Sequence, residues 1–264
     1  MEKSSSPEMI AVRNLTMAYG SFVVMQDLNF EIAEKDIFVI MGGSGCGKST
    51  LLRHLIGLIE PAKGSILYQG EDFTATDPAE RGDFIRRFGV MYQSGALWSS
   101  LTLAENIALP IEEKTRLSAA AIRDLVSYKL SLVGLSGYED YYPSQISGGM
   151  NKRAGIARAM ALDPEILYLD EPGAGLDPLS SRRLDDLILG LRDSLGCTVV
   201  MVTHELASIF AIANNSIFLD TATRTQGATG NPTELRDHSE NPAVRLFLRR
   251  GENENDSPPP SRHE

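Results

Sequence analysis

The sequence predicts an α/β fold with a parallel-sheet core, and three observations predict it. Apolar runs of strand length recur at residues 38–41, 88–93, 166–171 and 198–203. Stretches with apolar residues at helical spacing separate them, notably 119–132 and 179–195. Strands alternating with helices close into a parallel sheet through right-handed crossovers, with the ligand beyond the carboxyl ends of the strands. The third observation is local. The run Phe38-Val39-Ile40-Met41 leads into Gly42-Gly43-Ser44-Gly45-Cys46-Gly47-Lys48-Ser49-Thr50, and a helical stretch begins at Leu51.

That strand, glycine-rich turn and helix start are the context of a G-x-x-x-x-G-K-S phosphate-binding loop. Its glycines let the backbone curl with N–H groups inward, a nest for anionic oxygens at the positive end of the next helix. Lys48 can reach the outer phosphates, and the Ser49 hydroxyl can ligate Mg²⁺. A glycine-rich turn that binds nothing would not need the lysine and the hydroxyl. The chain is therefore expected to bind a nucleoside triphosphate.

Composition narrows the rest. The length of 264 residues suits one substantial domain, or a core domain with an insertion. A net charge of −10 argues against a nucleic-acid partner, because phosphate backbones reward basic surfaces. Cys46 and Cys197 lie far apart, and a disulfide at Cys46 would constrain the phosphate loop, so a reducing compartment is expected. No apolar stretch has bilayer-spanning length, and residues 1–7 lack an apolar signal core. Membrane association is expected only through a partner.

Taken in order, residues 10–17 alternate as a half-buried strand, turn at Tyr19-Gly20, and pair with a second strand over 22–32. Residues 65–68 return as a short strand, completing an antiparallel sheet beside the nucleotide core. The run 88–93 ends in the polar Gln93. From 103 to 134 the pattern is helical, with a break expected at Leu109-Pro110. Ser147-Gly148-Gly149 opens a helix over 150–161 whose Lys152, Arg153 and Arg158 read as its solvent face. After the run 166–171 and the helix 179–195, the run 198–203 ends at His204; a helix over 205–213 and a strand over 216–220 follow. A short helix is expected from 231 to 248. From Gly251 the chain is polar and proline-rich, the composition of a disordered tail.

Gln93, Asp170, Glu171 and His204 all fall at strand ends, where they can converge on one phosphate. Asp170 suits Mg²⁺ or its water shell, and Glu171 can orient or deprotonate an attacking water. His204 can contact the outer phosphate, and Gln93 the metal and the water. Tyr19 could stack on an adenine ring or be an ordinary turn tyrosine. Ser147-Gly148-Gly149 could be a plain helix cap, or a second anion site that serves another subunit's nucleotide in a head-to-tail dimer.

The ordered set of Tyr19, the loop 42–50, Gln93, Ser147-Gly148-Gly149, the run 166–171, Gly175-Leu176-Asp177 and His204 resembles the ATP-binding cassette family over roughly residues 9 to 225. The resemblance implies a P-loop NTPase core with an N-terminal antiparallel β subdomain and an α-helical subdomain inserted at about 95–160. The ATPase domain would occupy 9–230, a helical extension 231–250 and the tail 251–264. It implies ATP and Mg²⁺ as ligands, and a homodimer that sandwiches two ATP molecules. It also implies the A-loop for Tyr19, the Q-loop for Gln93, the signature for Ser147 to Met150 and Walker B for Asp170. Glu171 would be the catalytic base, Asp177 the D-loop aspartate and His204 the switch histidine. Two departures stand out: Met150 replaces the usual signature glutamine, and Ala174-Gly175 the usual Ser-Ala.

The stretches 94–102 and 105–108, with Ser-Gly-Gly-Met-Asn-Lys-Arg at 147–153, are similar to the Mla/Mce lipid-transport ATPases. That implies an integral membrane permease, an Mce-domain lipid-binding protein and a small STAS-like subunit as partners, at the cytoplasmic face of the inner membrane. A soluble cassette ATPase acting on ribosomes or nucleic acid is the alternative, and a small-molecule P-loop kinase a third reading. The second usually carries two cassettes or a coiled-coil insertion; the third leaves Ser-Gly-Gly and His204 as coincidences. Leu97 and Trp98, the chain's only tryptophan, are expected to line a cleft for a permease helix or to fold into the core.

Overall fold

The computed structural model describes residues 7–93 and 95–250. Alternating burial makes β1 (Glu8–Tyr19) and β2 (Phe22–Ala33) an antiparallel hairpin across a turn at Gly20 and Ser21. β3 (Ile37–Gly42) is buried at all six positions and leads through the glycine turn into α1 (Lys48–Leu55). β4 (Lys63–Tyr68) and the two-residue β5 (Glu71–Asp72) complete a four-stranded sheet in the order β2-β1-β4-β5.

A short α2 (Gly82–Arg86) precedes β6 (Phe88–Met91). Three helices then form a layer: α3 (Leu103–Lys114), α4 (Ala119–Leu132) and α5 (Gly148–Ala159). β7 (Ile166–Asp170), α6 (Pro178–Leu195), β8 (Thr198–Val202), α7 (Leu206–Ile212) and β9 (Asn215–Asp220) return the chain to the sheet. An edge strand β10 (Thr225–Thr229) and two helices, α8 (Pro232–His238) and α9 (Pro242–Arg249), close the described chain. The larger sheet runs β10-β9-β3-β8-β7-β6, parallel except for β10.

Strand alternation divides the core. Phe38, Ile40, Tyr168, Val200 and Val202 face α1 and the antiparallel sheet. Ile37, Val39, Leu167, Leu169, Val199 and Met201 face the helices on the other side. Both faces of the parallel sheet are thereby covered, as its apolar strands require. The arrangement is that of a P-loop NTPase core with an antiparallel β layer and a helical layer. Among the described residues no helix is long and apolar enough to cross a membrane.

Two expectations need correction. Pro110 does not break α3, which runs on to Lys114; the break comes at residues 115–118, where Ser118 caps α4. Leu103, Ile107 and Ile111 bury one face of α3, each worth about 1.5–3 kcal/mol, and outweigh a proline penalty of about 3 kcal/mol. Thr102 and Glu105 add a capping box at its start. The stretch 231–248 is two helices, each with an asparagine cap followed by proline, rather than one. The tail 251–264 lies outside the described residues.

Candidate active site

The phosphate loop leaves the middle of the parallel sheet, between strands that end beside it. Gly42 has φ 149°, and a Cβ there would meet the Cys46 Sγ and the Leu219 oxygen at 2.7 Å each, so only glycine fits. Gly47 has φ 96° and lies against Val24 and Met17, which seats the loop on the β1–β2 hairpin. Gly43, Ser44 and Gly45 are exposed, and Thr50 is half-buried on α1.

α1 has no side-chain cap and no acid in its first turn, so its leading N–H groups face the loop without a partner side chain. Lys48 curls back over the same turn, donating to Gly42 O at 3.0 Å and Gly43 O at 2.9 Å. An uncapped helix start, an ammonium and open backbone are the donor set for a polyphosphate. Tyr19 is exposed in the same hairpin, two residues along β1 from the Met17 that touches Gly47.

Ser49 and Asp170 come together next. The Ser49 hydroxyl donates to Asp170 Oδ1 at 3.2 Å. Burial raises the pKa of Asp170, against the Ser49 bond and the charges of Arg53, Lys152 and Lys48. A divalent cation held by these two oxygens would keep the carboxylate ionised. Among the described residues no group of three or more His, Cys, Asp or Glu forms a metal cage. The pair therefore suits an ion that takes its other ligands from phosphate and water, as Mg²⁺ does.

Glu171 follows β7 with a left-handed φ of 50°, and its N–H donates to Val202 O at 2.9 Å. The backbone holds the side chain across the end of β8, where Oε1 lies 2.8 Å from His204 Nδ1. Its Oε2 is buried and has no hydrogen-bond partner among the described residues. A buried carboxylate oxygen without a donor retains its full capacity to accept one. Gln93 lies just past β6, two residues beyond the Met91–Leu169 pairing, as Glu171 lies beyond it on β7. The Gln93 side chain is exposed and its backbone oxygen accepts from the Lys152 ammonium.

Two expected residues are placed elsewhere. Ser147 caps α5, its Oγ accepting from Met150 N at 3.2 Å, with Ser147 and Gly148 exposed and Gly149 half-buried. No described hydrogen bond connects this helix start to the phosphate loop of the same chain. Asp177 caps α6, accepting from Leu179 N, Ser180 N and the Ser180 hydroxyl, and these bonds lower its pKa.

The basic residues of α5 correct the sequence expectation. Lys152 is 8% exposed and donates to backbone oxygens of Gln93 and Glu171. Arg153 donates to Val133 O and Gly134 O, and Arg158 to Ala96 O and Gly95 O. Lys152 turns inward, and the half-buried Arg153 and Arg158 bind loops. The spacing of Lys152 with Gly155, Ile156 and Ala159, one face of a helix, carried the signal that Lys152 turns inward.

A parallel sheet with this loop on a central strand, a serine–aspartate pair beside it and a buried, half-satisfied glutamate define a P-loop nucleoside triphosphatase. Comparison with known proteins narrows the class. The family model described as ABC transporter matches residues 25–174. The chain is 36% identical over 248 residues to the intermembrane phospholipid transport system ATP-binding protein MlaF of Escherichia coli, covering 94% of this chain and 91% of that protein. It is 40% identical over 239 residues to the probable ribonucleotide transport ATP-binding protein mkl of Mycobacterium leprae, covering 90% of this chain and 68% of that one. The chain thus spans about two thirds of the length of the mycobacterial relatives. The solved dimer of the ATP-binding cassette MJ0796 with ADP and Pi superposes at a TM-score of 0.76 with 29% identity, covering 84% of this chain and 98% of that one. The chain belongs to the ABC transporter family. Membership makes it an ATP-binding cassette and implies ATP hydrolysis.

Proposed function

We propose that this chain hydrolyses Mg²⁺–ATP as the motor subunit of a membrane transporter for phospholipid or another hydrophobic molecule. The observation that carries hydrolysis is the Glu171 carboxylate, held on one oxygen by His204 and free on the other. The carboxylate orients a water and accepts its proton, while His204 holds it and presents its other ring nitrogen to the outer phosphate. Lys48 and the α1 N-terminus hold the phosphates, Tyr19 stacks on the base, and Ser49, Asp170 and Gln93 face the metal. Mg²⁺ bound there would neutralise charge on the phosphate oxygens.

The start of α5, with Ser147 and Gly148 exposed, supports a head-to-tail homodimer in which Ser147-Gly148-Gly149 completes the partner's site, with Asp177 at the same face. Trp98, at 60% exposure, borders a cleft of about 350 Å³ lined also by Phe88, Leu109, Pro110 and Leu162, which suits a short permease helix. Attachment at the cytoplasmic face of the inner membrane follows from that docking. The names of the relatives differ in cargo. The nearly full-length match to MlaF favours phospholipid, with an Mce-domain protein and a STAS-like subunit as further partners.

The complex isolated from membranes through a tag on this chain tests the reading. A polytopic membrane protein should co-purify, and its ATPase activity should respond to added phospholipid. Response to ribonucleotides alone would transfer the cargo assignment to the other relatives.

A further inference from the structure

Three contacts fasten the loop after β6 onto α5, and one of them continues to Glu171. The Lys152 ammonium donates to Gln93 O, and to Glu171 O at 3.3 Å. At Gly155 a Cβ would sit 2.9 Å from the Gly95 Cα, so helix and loop touch backbone to backbone. Arg158 donates to Ala96 O at 2.6 Å and to Gly95 O at 3.3 Å.

The placement of Lys152 calls for a reason, because an ammonium is costly to bury and structural cations stay at the surface where they can. Burial lowers its pKa, while Glu171, Asp170 and Glu205 favour the charged form. The β6–β7 ladder ends at Met91 and Leu169, and Gln93 and Glu171 stand two residues further along each strand. Backbone pairing no longer ties the strands there. One ammonium, with three donors, spans the gap.

We propose that Lys152 is a positioning residue for ATP hydrolysis: by holding the Gln93 and Glu171 carbonyls on one ammonium, it fixes the hydrolytic carboxylate relative to the loop that carries Trp98. The proposal rests on the hydrolytic reading of Glu171. A shift of that loop reaches the carboxylate through one side chain, and α5 carries the Ser147-Gly148-Gly149 start on the same rigid rod.

The test uses the full-length chain and measures kcat and KM for Mg²⁺–ATP, equilibrium binding of a fluorescent ATP analogue, and thermal unfolding. Lys152→Met keeps the unbranched stem, one atom short of the ammonium, and removes every donor. It should lower kcat about tenfold or more, with KM and analogue affinity within about threefold of wild type. Lys152→Gln restores two N–H donors without the charge and should recover kcat to within about threefold. Should the methionine variant not fold, Lys152→Ser, which lets water reach both carbonyls, replaces it in the comparison. Wild-type kcat in the donor-free variant, an equal fall in nucleotide affinity, or no recovery with glutamine overturns the proposal. A wild-type chain that binds ATP without hydrolysing it would defeat the underlying ATPase reading before any variant is compared.

Discussion

His204 Nδ1 lies 2.8 Å from Glu171 Oε1, and the other oxygen of that carboxylate is buried with no partner among the described residues. The two residues meet because Asp170 and Val202 pair across β7 and β8, and each side chain follows just past its strand end. The left-handed φ of Glu171 turns its carboxylate out of the strand direction, a strain of about 1–3 kcal/mol that surrounding bonds must hold. Those bonds are Glu171 N to Val202 O, Ala174 N to Glu171 O, and Lys152 to the same oxygen. The carboxylate is thereby aimed before any substrate arrives.

Ser147→Arg should abolish ATPase activity while leaving nucleotide binding by the monomer within about twofold, because Ser147 shares no bond with the phosphate loop of its own chain. Losing the cap should also cost about 1 kcal/mol, visible as a modest fall in Tm. Titrating a fluorescent ATP analogue under monomeric conditions checks this. Equal loss of monomer binding would assign Ser147 to the site of its own subunit.

Leu97 and Trp98 should behave oppositely, since Leu97 packs against the main core and Trp98 is 60% exposed. Trp98→Ala is expected to change stability by less than about 0.5 kcal/mol, whereas Leu97→Ala should cost about 1–2 kcal/mol. Thermal unfolding of the isolated chain and recovery of a permease with each variant separate the two effects. A Trp98→Ala chain that unfolds early yet assembles normally would return Trp98 to the core.

Asp185 gives a pH signature away from the site. It is buried between α6 and α7, and accepts from the Ser208 hydroxyl at 2.9 Å. Burial pushes its pKa up to about 6 from 3.8, helped by Glu205 and Asp186 and opposed by the Ser208 bond. The folded state therefore holds this proton more tightly than the unfolded state. The stability it contributes is fully present below about pH 4 and is lost as pH rises through 6. Asp185→Asn should be roughly 1–3 kcal/mol more favourable relative to wild type at pH 7.5 than at pH 4.5. Denaturant titrations at both values measure it; an equal difference at the two pH values would contradict the shift.

The parallel sheet was legible because four of its strands are apolar runs bounded by polar or glycine residues, and the phosphate loop because its glycines, lysine and hydroxyl sit at fixed offsets. β10 was not: its Thr-Gln-Gly-Ala-Thr has no apolar run and owes its strand form to pairing with β9. Pro110 misled because local propensity marks a break that the burial of Ile107 and Ile111 overrides. The charge of Lys152 points to solvent while its spacing with Gly155 and Ile156 points inward, and a cation on an apolar helix face is held there by something polar. The encounter of Glu171 with His204 depends on the strand order β8-β7, which the residues alone left open.

The most direct measurement of the central claim is ATP turnover by Glu171→Gln alongside its ATP-dependent dimerisation, followed by light scattering. Glutamine preserves the shape of the side chain and removes the proton acceptor. Turnover should fall about 10²–10⁴-fold, with ATP still bound and the dimer accumulating. Turnover at the wild-type rate, or loss of ATP binding together with activity, would contradict the role of the Glu171 carboxylate.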